Sequence, residues 1–275
     1  MMHARVVIAF VLLISSTPLA AQSDGQQLVD RLIDRIVANE QDFLTRFQKL
    51  EPIIETYVQE SPDNPDSDGQ PVNDEYLIGR LSWQNGVDVT PFWMTAGFQD
   101  RAASSTGKGA SGTGTKQRFG IPLFRSSALY LLPAGFAQMV VIDDAEFNRN
   151  TYSFEYVRRD FLGDVRSLVF DVTPRSQAPG KFIGRIWVED RDYRIIRFNG
   201  IYTGSKRNNL FFHFDTWRTN VAPNLWVPAF VYVEEKNPMQ DDKRKTRFRA
   251  QSRLWGYDIA RHNKLDELTS ILVEA

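Results

Sequence analysis

The sequence contains no cysteine. That absence excludes disulfides, thiolate metal sites, cysteine nucleophiles and a lipid attached through an N-terminal cysteine. Histidine is nearly as scarce. His3 lies at the extreme N-terminus, and His213 and His262 have no second histidine at ligand spacing, so no metal site is expected. Neither charge sign is in excess: 33 Lys and Arg against 34 Asp and Glu give a net charge of -1. The chain therefore lacks the basic footprint of a nucleic-acid or anionic-membrane binder. Motifs for covalent chemistry are missing too. There is no G-x-S-x-G elbow and no H-E-x-x-H pair, and no cofactor fingerprint survives inspection. No apolar run beyond the N-terminus approaches the roughly 18 residues of a membrane-spanning helix.

The N-terminus is read as an export signal. Arg5 supplies positive charge, Val6 to Ile14 is a short apolar run, and Ser15 to Ala21 is small and ends in Ala20-Ala21. Residues 1–21 are expected to be removed, an uncleaved anchor being the alternative. The expected product is an exported, periplasmic protein that does not span the membrane, with 22–275 forming one domain.

A helix is expected within 22–60. Leu28, Leu32 and Ile36 recur every four residues beside Val29, Ile33 and Val37. Phe43, Leu44, Phe47, Leu50, Ile54 and Tyr57 continue the stripe. Asp24 is the expected N-cap and Pro52 the expected kink. The opposite face, Arg31, Asp34, Arg35, Glu40, Arg46 and Lys49, is expected in water. Asn64, Asp66, Asp68, Gly69 and Glu75 have calcium-loop spacing, but Pro71 interrupts the loop and a solvated turn is the better reading. Glu75 to Trp83 reads as the first strand. Residues 104–117, SSTGKGASGTGTKQ, read as a flexible loop. They are not a phosphate loop, because Thr115 and Lys116 stand in the wrong order and no strand precedes them. Ile121 to Ile142 is the most apolar mature segment, expected to be core or a lid.

From Thr151 onward, strands follow one another at short intervals: 151–160, 165–173, 181–189, 193–202, 210–217, 226–234 and 246–257. Polar turns join them, which implies hairpins and an antiparallel meander. No helix-length connection separates the strands, so a parallel sheet is excluded. Arg247, Arg249, Gln251 and Arg253 share one face of the last strand, which should meet water or a partner. The fold class expected is α+β: an N-terminal amphipathic helix packed on a strongly curved antiparallel sheet, an incomplete β-barrel with strands over 75–275.

The run LVFDVTP, GRIWVEDRDYRIIRF, FHFDTWRTNVAPNLWVPAFVYVEE resembles the outer-membrane lipoprotein-sorting superfamily, which includes periplasmic carriers of the Lol pathway. Pro174, Trp187-Val188-Glu189, Ile196-Arg197 and Trp226-Val227-Pro228 carry the resemblance. It implies a half-barrel whose apolar cavity accepts the acyl chain of a lipid or lipoprotein, with no catalytic residue and no cofactor. The expected cavity lining is Trp187, Phe198, Phe212 and Phe214, then Phe230 and Tyr232, with Leu132 and Phe136 contributed by the apolar insert. An envelope protein-protein interaction module without lipid cargo is the alternative, with the basic face of the last strand, Arg247, Arg249 and Arg253, and the exposed side of the helix as its contact surface. A hydrolase would need His213 and Asp215, which share a strand face; a plain cross-strand polar pair is the better reading.

Overall fold

A computed structural model describes residues 19–62, 70–83, 88–96, 138–143, 146–176, 178, 180–203, 211–236 and 246–259, with side chains from Gln27. One long helix, α1 (Leu19–Phe47), lies against one ten-stranded antiparallel sheet. Ile33, Ile36, Val37, Glu40, Phe43, Leu44 and Phe47 face the sheet and are buried, whereas Asp34, Arg35, Gln41 and Arg46 are exposed. That three-and-four spacing is what turns one stripe of a helix toward a core. The helix starts before Asp24, so Asp24 lies within it and does not cap it.

The helix also ends sooner than its apolar stripe suggests. Leu50 closes the last turn by donating to the Phe47 carbonyl, and Ile53–Pro62 is a strand, β1. The expectation of helix through Glu60 is therefore corrected. Pro52 cannot donate a helical hydrogen bond. Beyond it, IIETYVQ alternates at period two, and Ile54, Thr56 and Val58 are buried while their neighbours are only partly covered.

The remaining strands are β2 (Asn73–Ser82), β3 (Asp88–Met94), β4 (Tyr152–Leu162), β5 (Val165–Pro174), β6 (Phe182–Glu189), β7 (Ile195–Tyr202), β8 (Phe211–Ala222), β9 (Leu225–Lys236) and β10 (Thr246–Trp255). Their order is β3-β2-β1-β10-β9-β8-β7-β6-β5-β4. Seven strands in sequence, β4 to β10, form the expected meander. The last strand then pairs with the first, Ile54 opposite Leu254 and Val58 opposite Ala250. β3 and β4 are the two edges and do not pair, so the sheet is open. The segment read as the first strand is the second, because β1 precedes it. Leu132, Phe136 and the loop at 104–117 lie outside the described residues, as do 1–18, most of the expected export signal, and most of the calcium-like loop. Of the apolar insert, 138–142 is described: Gln138–Val140 is a short 3-10 turn, and Met139 to Ile142 are buried.

One face of the sheet carries the core. Leu77, Ile54, Leu254, Val231, Phe214, Phe198, Ile186 and Phe170 come from eight successive strands and belong to one buried cluster with the helix. The helix is fastened to this face by an ion pair inside it. Arg218 of β8 donates from Nη1 and Nη2 to the two carboxylate oxygens of Glu40 at 2.7 and 2.6 Å. Both side chains are 1% exposed, so the expectation that Glu40 stands in water is corrected. The Arg218 guanidinium also lies 3.9 Å from the Phe43 ring centre. At the rim, Arg194 binds Asp42, and Arg149 grips both Asp30 and Asp34.

Candidate ligand-binding site

The aromatic floor of the inner face is built by parity. On β8, Phe212, Phe214, Thr216 and Arg218 alternate with His213, Asp215 and Trp217, and the first set points inward. Phe198 and Tyr202 on β7 and Phe182 on β6 join them. The rings of Phe182, Phe198 and Phe214 stand 6.0 Å apart in each pairing, and Tyr202 stacks on Phe214 at 4.8 Å. Gly184 and Gly200 face each other across β6 and β7 beneath the Phe182 ring. A Cβ on Gly200 would sit 2.2 Å from the Ile183 carbonyl oxygen and 2.8 Å from that ring. Two glycines are thus what lets a benzyl group lie flat on the sheet here.

Three of the expected lining residues, Phe198, Phe212 and Phe214, sit together on this floor. Their exposures are 0, 7 and 0%. Trp187, Phe230 and Tyr232 do not join them. Trp187 belongs to a separate cluster with Val169 and Ile196. Phe230 is the cross-strand partner of Trp217, and Tyr232 of Asp215, so both stand on the outer face, where Val231 and Val233 take the inward positions. The sheet separates the six into two groups.

The segment at 138–143 covers part of the floor. The Thr216 hydroxyl donates to the Met139 carbonyl at 2.6 Å, and the Tyr202 hydroxyl donates to that of Val141. Asp143 accepts from the Tyr152 phenol at 2.5 Å and from Lys181 Nζ at 3.1 Å. Burial, reinforced by the bond to Asp143, pushes the Tyr152 phenol far above its ordinary range. Tyr152 is therefore a neutral donor at every physiological pH.

Beside Tyr152 the inner face meets solvent. A hollow of about 560 Å³ opens between the helix and β4. Val29 and Ile33 from the helix and Tyr152 and Phe154 from β4 give it a narrow apolar wall, while Asp30, Arg149, Asn150, Ser153 and Arg175 make the rest of its lining polar and charged. The apolar lining continues along the edge strand, where Tyr156 stacks edge-on against buried Phe170 at 5.7 Å and is itself 50% exposed. Sequence reasoning assigned none of these mouth residues to a site. The one available signal was the aromatic alternation Tyr152-Phe154-Tyr156 at the start of β4.

The polar candidates are accounted for. Asp215 receives a two-pronged bond from Arg197 at 2.9 and 2.6 Å, and His213 Nε2 lies 2.9 Å from Asn199 Oδ1. Glu75 lies in β2, buried, where Asn73 donates to it. Among the described residues no cluster of three or more His, Asp or Glu side chains could hold a metal ion, and no helix is long and apolar enough to cross a membrane.

No protein-family model matches the sequence, and no curated protein matches it. Solved structures similar to the chain include a LolA superfamily protein from Nitrosomonas europaea, at 9% identity over 82% of this chain and 92% of that one, with a TM-score of 0.36. A domain named for outer membrane lipoprotein sorting, from Vibrio parahaemolyticus, is similar at 8% identity over 81% of this chain and 94% of its own, with a TM-score of 0.35. A chain of the Pseudomonas aeruginosa MucA/MucB complex follows at 9% identity, 82% and 93% coverage and a TM-score of 0.24.

Proposed function

We propose that this chain is an exported, non-enzymatic protein that binds the acyl chain of a lipid or lipoprotein on the apolar inner face of its open sheet. The observation that carries the reading is the mouth between the helix and β4. There a narrow apolar wall, Val29 and Phe154 over buried Ile33 and Tyr152, stands in a hollow of about 560 Å³ whose exposed lining is otherwise mainly polar, with Asp30, Arg149 and Arg175 at its rim. Pockets of roughly 300–1,000 Å³ suit drug-sized ligands. A lipid head group can meet the charged and polar groups of this hollow while its chain follows the narrow apolar wall toward the core. Ten methylenes moved from water to that wall would contribute about 8 kcal/mol before ordering costs are subtracted. No nucleophile or metal is required for such a role. The sequence resemblance to lipoprotein-sorting proteins and the N-terminal export signal agree with it.

Titration of the full mature chain with a fluorescent fatty acid tests the reading. Saturable binding is expected, displaced by unlabelled fatty acid. The exposed-wall substitutions Val29→Arg and Phe154→Arg together should weaken it by about tenfold or more, because a charge in the apolar wall costs more than one lost contact. Absence of saturable binding, together with recovery of one stoichiometric envelope protein by crosslinking in cells, would replace this reading with that of an interaction module.

A further inference from the structure

The outer face of the sheet, opposite the proposed acyl site and independent of it, carries a second built feature. Tyr232 on β9, Gln251 on β10, Tyr57 on β1 and Tyr76 on β2 are successive cross-strand partners. They form a straight row over four strands, about 14 Å long at the usual strand spacing. One row over in one direction stand Arg253 and Glu55. In the other stand Glu234, Arg249, Gln59 and Asp74. Two hollows of about 180 and 190 Å³ indent this surface. The first is lined by Glu55, Tyr57, Tyr76, Gln251 and Arg253. The second is lined by Tyr57, Gln59, Tyr232, Arg249, Ala250 and Gln251. They adjoin, with Tyr57 and Gln251 as their common wall.

The tyrosines are held in place. Tyr57 donates to Asp74 at 2.7 Å, Tyr76 to Glu55 at 2.9 Å and Tyr232 to Glu234 at 3.3 Å. Arg249 and Arg253, by contrast, form no salt bridge among the described residues, although Arg249 lies near the Tyr232 phenol, and both are exposed. Their ten N–H donors between them are available to a ligand.

Three properties decide the ligand class. First, three part-buried tyrosines line the hollows with Gln251 between them, a mixed aromatic and polar lining that suits a ligand with apolar faces and a polar perimeter. Second, two arginines stand among three carboxylates, Glu55, Asp74 and Glu234. A strong anion meets the acids and a strong cation meets the arginines, whereas hydroxyl groups, both donor and acceptor, satisfy both. Third, a sheet face offers no backbone N–H or C=O, so an extended peptide gains no ladder of main-chain bonds there. We propose that the outer face over β2, β1, β10 and β9 binds a neutral glycan, with consecutive sugar rings in the two adjoining hollows, stacked on the tyrosines and hydrogen-bonded by Arg249, Gln251 and Arg253.

The test is calorimetric titration of the full mature chain with chitohexaose and cellohexaose, and with hexagalacturonate as the acidic comparison. At least one neutral hexamer should bind saturably, and its monosaccharide should bind at least tenfold more weakly, since it fills one hollow. Arg249→Ala with Arg253→Ala, both surface changes, should weaken hexamer binding by about tenfold or more, as expected for lost hydrogen bonds from charged donors. Tyr57→Ala should abolish it, with circular dichroism confirming the fold. The proposal is overturned by no heat with either neutral hexamer at millimolar concentration, or by binding that survives the double arginine variant. Preferential binding of hexagalacturonate would instead mark an anion site. A concentration-dependent dimer blocked by the same variants would mark a self-association surface.

Discussion

Removing the Glu40 carboxylate should be among the most damaging single changes to this fold. Glu40 and Arg218 are each 1% exposed and meet through two bonds of 2.6 and 2.7 Å. Arg218 Nε has no partner even in the intact protein. Glu40→Ala would leave a guanidinium buried against the Phe43 and Phe198 rings with one remaining acceptor, the Ile195 carbonyl at 3.3 Å. Breaking one side of a buried pair costs about 3–5 kcal/mol. For a domain with a urea slope of about 3 kcal/mol/M, the midpoint would fall by about 1–1.7 M. The double change Glu40→Met with Arg218→Met should cost far less than the sum of the single changes, because no uncompensated charge remains. Urea unfolding followed by tryptophan fluorescence reads all four corners of the cycle. A loss under about 1 kcal/mol for Glu40→Ala, or strict additivity in the double variant, would refute the view that this pair clamps the helix to the sheet.

Two further outcomes follow from the packing and the charges. Gly200→Ala should cost about 2–3 kcal/mol by thermal or urea unfolding, since the new Cβ would overlap the Ile183 carbonyl and the Phe182 ring; a neutral result would mean that β6 and β7 can separate freely at this point. Acid should weaken the fold slightly through its paired aspartates: the bonds from Arg185 to Asp171 and from Arg149 to Asp34 hold both carboxyls below their usual value of 3.8, although both pairs are exposed and solvent screens them. Their contribution is present above that value and disappears as pH falls through the lower folded values. The midpoint in urea should therefore stay flat from pH 7 to about pH 5 and decline modestly below about pH 4, and replacing Arg185 with Ala should reduce that decline.

The seven strands from Tyr152 to Trp255 were legible because alternation at period two and polar turns are local signals. β1 was not, because Ile54 and Tyr57 continue the helical spacing of Phe43, Phe47 and Leu50, and only Pro52 marks the change. The pairing of β1 with β10 joins residues about 200 positions apart, as in Thr56 opposite Ser252, and no local pattern encodes it. At the site, size misled where parity would have served. On β9 the large Phe230 and Tyr232 face outward while the smaller Val231 and Val233 form the core. On β6, Ile186, Trp187 and Val188 are all buried, so both faces look apolar. Arg218 stood at a core position of β8 in plain parity with Phe214 and Thr216. Its partner Glu40 was hidden, since one acid on a helix looks like any solvated residue.

The central claim is that the inner face takes an acyl chain through the mouth between the helix and β4. Mass spectrometry of the organic extract from protein purified out of an exporting host tests it most directly. Acyl lipid in stoichiometric amount is expected, and the Val29→Arg, Phe154→Arg protein should be folded and lack it. An extract free of lipid from the unmodified protein, which also fails to take up fatty acid when it is supplied, would contradict the claim.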